Sequence, residues 1–232
     1  MKIIQILVFI LLLLSCGAAE NSQFITYSPK SDSLFFVWKN PEGEKYLNMH
    51  SVTDSFGISN SQVKFLMNGG MFDPLFNPVG LYIENGLLLN QIDQKKDQPG
   101  NFYIQPNGIF TVDYDGSVQI IKTEDFRNND RIKFATQSGP ILVWERKINP
   151  YFNPDSENTN IRNAVGIKAD GEVIFVISKD KVSFYQLSQF MVDSGCKKAL
   201  YLDGFVSNMY TQENGYIHPN DFNYGIMIME LE

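Results

Sequence analysis

The chain has 232 residues, 44% of them hydrophobic and 19% charged, which is enough apolar material for one buried core or at most a small pair of domains. Its formal charge is -7 and its pI about 4.9, a balance that repels phosphate backbones and argues against nucleic acid as a partner. An anionic ligand would have to be met by local positive charge, so individual Arg residues become informative.

The N-terminus reads as a targeting segment. Lys2 precedes an apolar run over residues 3–14 that is broken only by Gln5. The run is short of the roughly 20 residues a bilayer span takes, and suits a signal-peptide core. It ends in Leu13-Leu14-Ser15-Cys16-Gly17, where a small residue before Cys resembles a bacterial lipobox and makes Cys16 the lipidation site. Ordinary cleavage near Gly17-Ala18-Ala19 is the alternative. The reading is of an exported bacterial envelope protein, held to a membrane by an N-terminal lipid on the periplasmic side or the cell surface. Residues 1–19 are signal peptide and lipobox, 20–32 a polar tether or first turn, and 33–232 one folded domain. Cys196 is then the sole remaining Cys and is expected to be a small buried residue.

Short strands separated by turns follow. Apolar runs at 34–38 and 63–67 read as strands, the second ending at Asn68-Gly69-Gly70. Runs at 80–84 and 87–90 flank Asn85-Gly86, a strong two-residue hairpin signal. Strands are expected at 102–104 and 109–113 around Gln105-Pro106-Asn107-Gly108, and Asp115-Gly116 turns the latter into 118–121. Asp113-x-Asp115-Gly116 lacks the downstream Glu of a calcium loop, so it is read as that turn. Runs at 132–136 and 141–144 bracket Gln137-Ser138-Gly139-Pro140. Asp170-Gly171 joins 164–168 to 173–177. The clearest helix lies in 184–194: Ser183 and Gln186 form a capping box, Phe184, Leu187 and Met191 share a face, and Gly195 stops it. A second helix is expected within 44–57 and a short helical turn at 123–127. Strands at 199–202 and 224–231 complete the chain. The fold class is α+β, a strand-rich mixed or mostly antiparallel sheet with a few helices in a single domain.

Familiar catalytic motifs are absent: there is no G-x-S-x-G, no H-E-x-x-H and no Walker loop, and only His50 and His218 occur. No cofactor is expected, no metal ligands are assigned, and dependence on a divalent metal is left open. Four polar clusters remain at strand ends. Asn68-Gly69-Gly70 offers close backbone approach and an orienting amide. Gln137-Ser138-Gly139 offers donors for phosphate or sugar hydroxyls. Arg162 opens a strand with a planar fork that matches phosphate oxygens or, equally, a surface ion pair. Asp203-Gly204 puts a carboxylate at a strand's end, with Ser207, Asn208 and Tyr210 downstream. Each cluster taken alone also reads as a plain turn.

Taken in order, these motifs resemble the phosphodiester glycosidase family. The resemblance rests on Asn-Gly-Gly-Met-Phe (68–72), Pro-Val-Gly-Leu-Tyr-Ile-Glu-Asn-Gly (78–86), Asn-Phe-Tyr-Ile-Gln-Pro-Asn-Gly-Ile-Phe (101–110), Ala-Thr-Gln-Ser-Gly-Pro-Ile-Leu-Val (135–143), Ile-Arg-Asn-Ala-Val-Gly (161–166) and Ala-Leu-Tyr-Leu-Asp-Gly (199–204). It spans roughly residues 30–231 and looks closest to the compact bacterial branch. Phe205 stands where many members have a second Gly, and Asn163 where one branch has Thr; both bear on substrate identity. The resemblance implies hydrolysis of a sugar-1-phosphodiester, with a phosphoglycan as the partner. Asp203 and Arg162 are then the catalytic candidates. Asn68, Gly69, Gly70, Gln137, Ser138, Gly139, Gly204 and Ser207 are the binding candidates, with Asp73 and Glu84 as reserve carboxylates. Non-catalytic glycan binding, an envelope scaffold and P–O cleavage are the competing readings.

Overall fold

The structure is a computed structural model that describes residues 22–55, 62–203, 206–218 and 222–232. Its strands form three sheets, and every pairing between them is antiparallel. The first sheet has the order β1 (Phe24–Tyr27), β12 (Val173–Ser178), β11 (Asn163–Lys168), β13 (Cys196–Tyr201), β9 (Ile141–Trp144), β10 (Lys147–Ile148). The second runs β15 (Gly215–Tyr216), β14 (Met209–Thr211), β3 (Val63–Asn68), β16 (Met227–Leu231), β2 (Leu34–Val37). The third runs β5 (Leu87–Asn90), β4 (Tyr82–Glu84), β8 (Ile132–Ser138), β6 (Gly108–Asp113), β7 (Val118–Lys122). The fold is the single strand-rich domain that the turn pattern predicts.

Alternation along the strands directs one face of each sheet to a shared core, where Phe36, Phe65, Tyr82, Phe110, Phe134 and Phe175 meet. Phe36 stacks on Phe134 at 5.1 Å between ring centroids, tying the second sheet to the third. Phe65 meets Phe175 at 4.8 Å, tying the second to the first. The outer face of the first sheet is covered by α2 (Phe184–Asp193), whose Leu187 and Met191 pack with Leu142, Ala164 and Cys196. That of the second is covered by α1 (Met49–Ser55) through Met49 and Val52. The expected capping box of α2 is present: Gln186 N donates to Ser183 Oγ at 3.1 Å, and Ser183 N to Gln186 Oε1 at 2.8 Å. Asn85 and Gly86 carry φ of 50° and 78°, the left-handed pair that a two-residue hairpin requires.

Three expectations change. The strand at 102–104 is a 3-10 turn, Asn101–Tyr103, because the Phe102 carbonyl is taken by the Asn107 side chain at 2.6 Å instead of by a ladder partner. The hairpin around 105–108 is absent with it. The tether expected over 20–32 contains β1, an edge strand paired with β12 from Phe24↔Ser178 to Tyr27↔Phe175. The last strand begins at Met227, after Ile226 O accepts from Gly69 N at 2.9 Å. Cys196 is fully buried, and burial pushes its thiol up to about 11, which leaves it unreactive near neutral pH.

Candidate active site

The strand ends fix the site. β3 runs out at Asn68, β8 at Ser138, and β13 continues into Leu202 and Asp203. The β11/β13 register pairs Ala164 with Tyr201, so Arg162 and Asn163 enter the first sheet alongside the segment that carries Asp203. Residues far apart in the chain thus meet at one end of the core.

A ring of carboxamides surrounds the carboxylate. Asn68 Nδ2 donates to Asp203 Oδ2 at 3.0 Å. Asn68 Oδ1 accepts from Asn163 Nδ2 at 3.1 Å and from Asn208 N at 2.8 Å. Asn163 Nδ2 also donates to the Asn68 carbonyl at 2.9 Å, and Asn163 Oδ1 accepts from Asp203 N at 2.9 Å. Ser207 Oγ donates to the Asp203 carbonyl at 2.6 Å, and Ser138 Oγ to the Leu202 carbonyl at 2.7 Å. Asn68 and Asn163 are fully buried, and Asp203 is 6% exposed. Nearly every polar atom of the ring is spent on holding backbone and carboxylate in place, the arrangement that fixes a reactive group's geometry. The phenol of Tyr224 is pushed up to about 12, chiefly by burial; Asn208 opposes the shift and the charge of Asp203 adds to it.

Arg162 lies below the surface, fully buried, with a fork already occupied by neutral oxygens. Nε donates to Val182 O at 2.8 Å, Nη1 to Tyr201 Oη at 3.2 Å, and Nη2 to the Asn158 carbonyl at 3.1 Å. Its Cζ stands 3.8 Å from the centre of the Phe184 ring. Among the described residues the ion pairs are Lys96–Glu124 and Lys168–Glu172, so this guanidinium has no carboxylate partner there. It is therefore no half of a surface ion pair. Burial draws its pKa below the usual Arg value while the Tyr201 contact opposes that, and a guanidinium stays charged in either case. Tyr201 registers both charges. Its pKa is raised, first by burial, with Arg162 opposing the rise and the charge of Asp203 adding to it.

The other expected site residues divide. Ser138 and Ser207 join the Asp203 cluster through main-chain carbonyls. Gln137 points from the opposite face of β8 and pins the loop after β5: Oε1 accepts from Leu81 N and Asp93 N, and Nε2 donates to Asp93 O and Asn107 Oδ1. It is committed to scaffold. Gly69 and Gly70 are close-approach positions toward protein: a Cβ on Gly69 would run into the Ile228 side chain, and one on Gly70 would sit 2.7 Å from Thr136 Oγ1. A Cβ on Gly139 would sit 2.7 Å from the Phe102 carbonyl. Of the reserve carboxylates, Asp73 caps its own loop through Leu75 N and Asn77 N, while Glu84 accepts from Tyr82 Oη. Gly204 and Cys16 lie outside the described residues.

Sequence reading gave no site role to Asn163, Tyr201, Tyr224 or His218. Asn163 had a usable signal, a carboxamide heading an otherwise apolar strand beside Arg162. His218 ties the cluster to the first sheet, its N donating to Asn208 Oδ1 at 3.1 Å and its Nε2 bonding the Ser178 carbonyl at 2.8 Å. Ser178 is itself paired with Arg162, since its Oγ accepts from Arg162 N at 3.0 Å. Among the described residues no group of three or more His, Cys, Asp and Glu side chains is placed to hold a metal ion.

Fold and site together define a class: an antiparallel three-sheet domain with a carboxamide-held carboxylate at one end of its core, and on the neighbouring strand a buried guanidinium with no carboxylate partner among the described residues. The chain belongs to the phosphodiester glycosidase family, whose model matches residues 61–225. It is 35% identical over 189 residues to the uncharacterized protein YigE of Escherichia coli K12, covering 81% of this chain and 73% of that protein. Its fold is similar to the zebrafish N-acetylglucosamine-1-phosphodiester alpha-N-acetylglucosaminidase catalytic domain, auto-inhibited by its pro-peptide. That match has a TM-score of 0.63 and 14% identity, and covers 92% of this chain and 85% of that one. A hypothetical protein from Synechocystis matches with a TM-score of 0.54 at 11% identity, over 90% of this chain and 58% of the other.

Proposed function

We propose that this domain hydrolyses a sugar-1-phosphodiester, releasing the sugar and a phosphomonoester. The observation that carries the reading is the buried Arg162 guanidinium, which has no carboxylate partner among the described residues and enters the sheet beside the segment that carries Asp203, in a chain of this family. A buried cation surrounded only by neutral oxygens leaves a positive potential for an incoming anion to complete, and low dielectric strengthens it.

A phosphomonoester departs as a stable anion and needs little protonation, so the second carboxyl group of ordinary glycosidases is dispensable. Arg162 stabilises the charge that develops on the leaving phosphate. With its fork held by Val182, Asn158 and Tyr201, it acts through its field and through the Tyr201 hydroxyl it polarises. Asp203 activates water, or attacks the anomeric carbon directly, from an orientation set by Asn68. Asn163, Ser138 and Ser207 hold the supporting backbone. The natural substrate is an envelope phosphoglycan, and the protein is exported and lipid-anchored through Cys16, a reading supported by the sequence of residues 2–17.

The test is hydrolysis of a sugar-1-phosphate methyl diester in oxygen-18 water by wild type and Asp203→Asn. The label is expected in the sugar, and the variant is expected to lose about 10²- to 10⁴-fold in kcat while keeping its fold. Label in the phosphate would replace C–O with P–O cleavage. Binding without turnover by wild type would leave a glycan-binding protein.

A further inference from the structure

The first described strand enters the fold beside the candidate site. β1 pairs Phe24 with Ser178, and Lys179 N donates to the Gln23 carbonyl at 2.8 Å. Ser178 in turn exchanges bonds with Arg162: Ser178 N donates to Arg162 O at 2.9 Å, and Arg162 N donates to Ser178 Oγ at 3.0 Å. A second route runs from Ser178 through His218 and Asn208 to Asn68, and so to Asp203. Ser22 and Gln23 therefore leave the domain at the end of the core that holds Arg162 and Asp203. We infer that this end is turned toward a membrane and that the substrate is a sugar-1-phosphodiester embedded in that membrane; the inference rests on the lipid-anchored hydrolase reading above.

Reach is the first argument. Ser22 follows Cys16 by six positions, and an extended chain spans at most about 3.6 Å per residue, so a lipid on Cys16 keeps Ser22 within about 20 Å of the bilayer surface. A domain of this size is about 40 Å across, so the pole from which the chain leaves cannot be the one far from the lipid. Polarity is the second. β16 starts level with the site, Met227 opposite Asn68, and runs away from it to Leu231 opposite Val63, where Glu232 N donates to Gln62 O at 3.0 Å. At about 3.3 Å per residue the C-terminus lies about 15 Å further along the core. The two ends of the described chain thus mark opposite poles, and the N-terminal one shares the site's. An anchor there presents the site to the lipid, where an anchor on Glu232 would turn it outward. Charge is the third. Lys179 and Lys181, with Asp180 between them, are exposed in the turn beside Gln23, and neither lysine belongs to an ion pair among the described residues. In a chain of net charge -7, cations placed where the chain departs suit anionic headgroups. A phosphodiester at headgroup level meets a site held at that height, whereas a polymer away from the membrane would have to enter the narrow gap beneath the domain.

The test reconstitutes the full, acylated chain in vesicles of phosphatidylethanolamine and phosphatidylglycerol. Orientation is read first, by energy transfer to a dye in the bilayer surface from a fluorophore on Asp180→Cys, in the turn beside Gln23, or on Asp170→Cys, at the other end of β12. Both positions are exposed, and transfer is expected to be stronger from Asp180→Cys. Kinetics are read second, on a sugar-1-phosphodiester of a long-chain alcohol embedded in the vesicles and on the water-soluble methyl diester. A rigid helical spacer of about 20 residues, inserted between Ala19 and Glu20, lifts the domain by about 30 Å. It is expected to slow hydrolysis of the embedded diester about tenfold or more and to leave the methyl diester unchanged. Absence of a lipid on Cys16, equal transfer from the two labels, or an embedded-diester rate indifferent to the spacer overturns the inference. Unequal transfer in a protein that hydrolyses neither diester removes the hydrolase reading and keeps the orientation. Hydrolysis of the methyl diester with equal transfer removes the orientation and keeps the hydrolase.

Discussion

Asn68 Nδ2 donates to Asp203 Oδ2 at 3.0 Å across 135 positions of sequence, and the acceptor oxygen of the same amide takes bonds from Asn163 Nδ2 and Asn208 N. One side chain therefore orients the carboxylate and closes the loop behind it. In Asn68→Ala, Asn208 N loses the Asn68 oxygen and Asp203 one of its donors, both in buried surroundings. Unsatisfied buried groups cost about 1–3 kcal/mol each, so the variant is expected to lose about 2–4 kcal/mol in urea unfolding. Asn68→Asp keeps an acceptor for Asn208 but faces Asp203 with a second carboxyl group. Two carboxylates at that distance cannot both ionise readily, so the acid limb of the pH–rate profile is expected to move to higher pH.

Arg162 gives a prediction of opposite character. In Arg162→Met a buried charge with no carboxylate partner among the described residues disappears, which favours the fold, while Val182 O, Tyr201 Oη and Asn158 O lose a donor, which disfavours it. The two effects oppose, and the net change in stability is expected to stay within about 2 kcal/mol. The ligand response separates the variants more sharply. Inorganic phosphate or a sugar phosphate is expected to raise the melting temperature of wild type and to leave Arg162→Met unmoved. Equal stabilisation of both would remove Arg162 from anion binding.

Glu84 yields a pH dependence remote from the site. Burial raises its pKa above the ordinary 4.5, while the bonds from Tyr82 and the Trp38 backbone N–H oppose the shift. The folded state thus holds this proton to higher pH than the unfolded chain does. The contribution to stability is fully present below the unfolded value and is lost as pH rises through the folded one. Glu84→Gln cannot titrate. Stability of wild type minus that of Glu84→Gln is expected to fall as pH rises above the ordinary Glu value. Any constant offset from altered hydrogen bonding cancels in that slope, and a flat difference would show that the carboxyl group titrates normally.

What the sequence revealed follows from the length and parity of its signals. Asn85-Gly86, Asp115-Gly116 and Asp170-Gly171 each sit between short apolar runs, so the hairpins they close were legible. β1, β14 and β15 have 4, 3 and 2 residues, too few for alternation to stand out, and each forms only by pairing with a longer strand. The site was legible as a set of strand ends but not in its division of labour. Ending a strand at Thr136 leaves Gln137 and Ser138 as equivalent loop residues. β8 in fact continues to Ser138, and in a strand adjacent side chains take opposite faces, so one residue pins the Asp93 loop while the other reaches Leu202. The burial of Arg162 depends on Phe184 and Asn158, whose contacts are set by tertiary packing that no local pattern encodes.

The same packing makes the first turn of α2 part of the site's support. Ser183 Oγ accepts from Gln186 N, and Gln186 Oε1 accepts from Ser183 N, which fixes where the helix begins and hence where Phe184 lies beneath Arg162. Ser183→Ala removes one arm of the box and is expected to cost about 1 kcal/mol of stability; Ser183→Thr keeps an oxygen in place and should cost less. If helix entry positions the guanidinium, Ser183→Ala will also lower kcat on a sugar-1-phosphodiester, and Ser183→Thr will restore it. A stability loss with kcat intact would assign the capping box to the helix alone and leave Phe184 placed by its contacts with Phe152 and Tyr201.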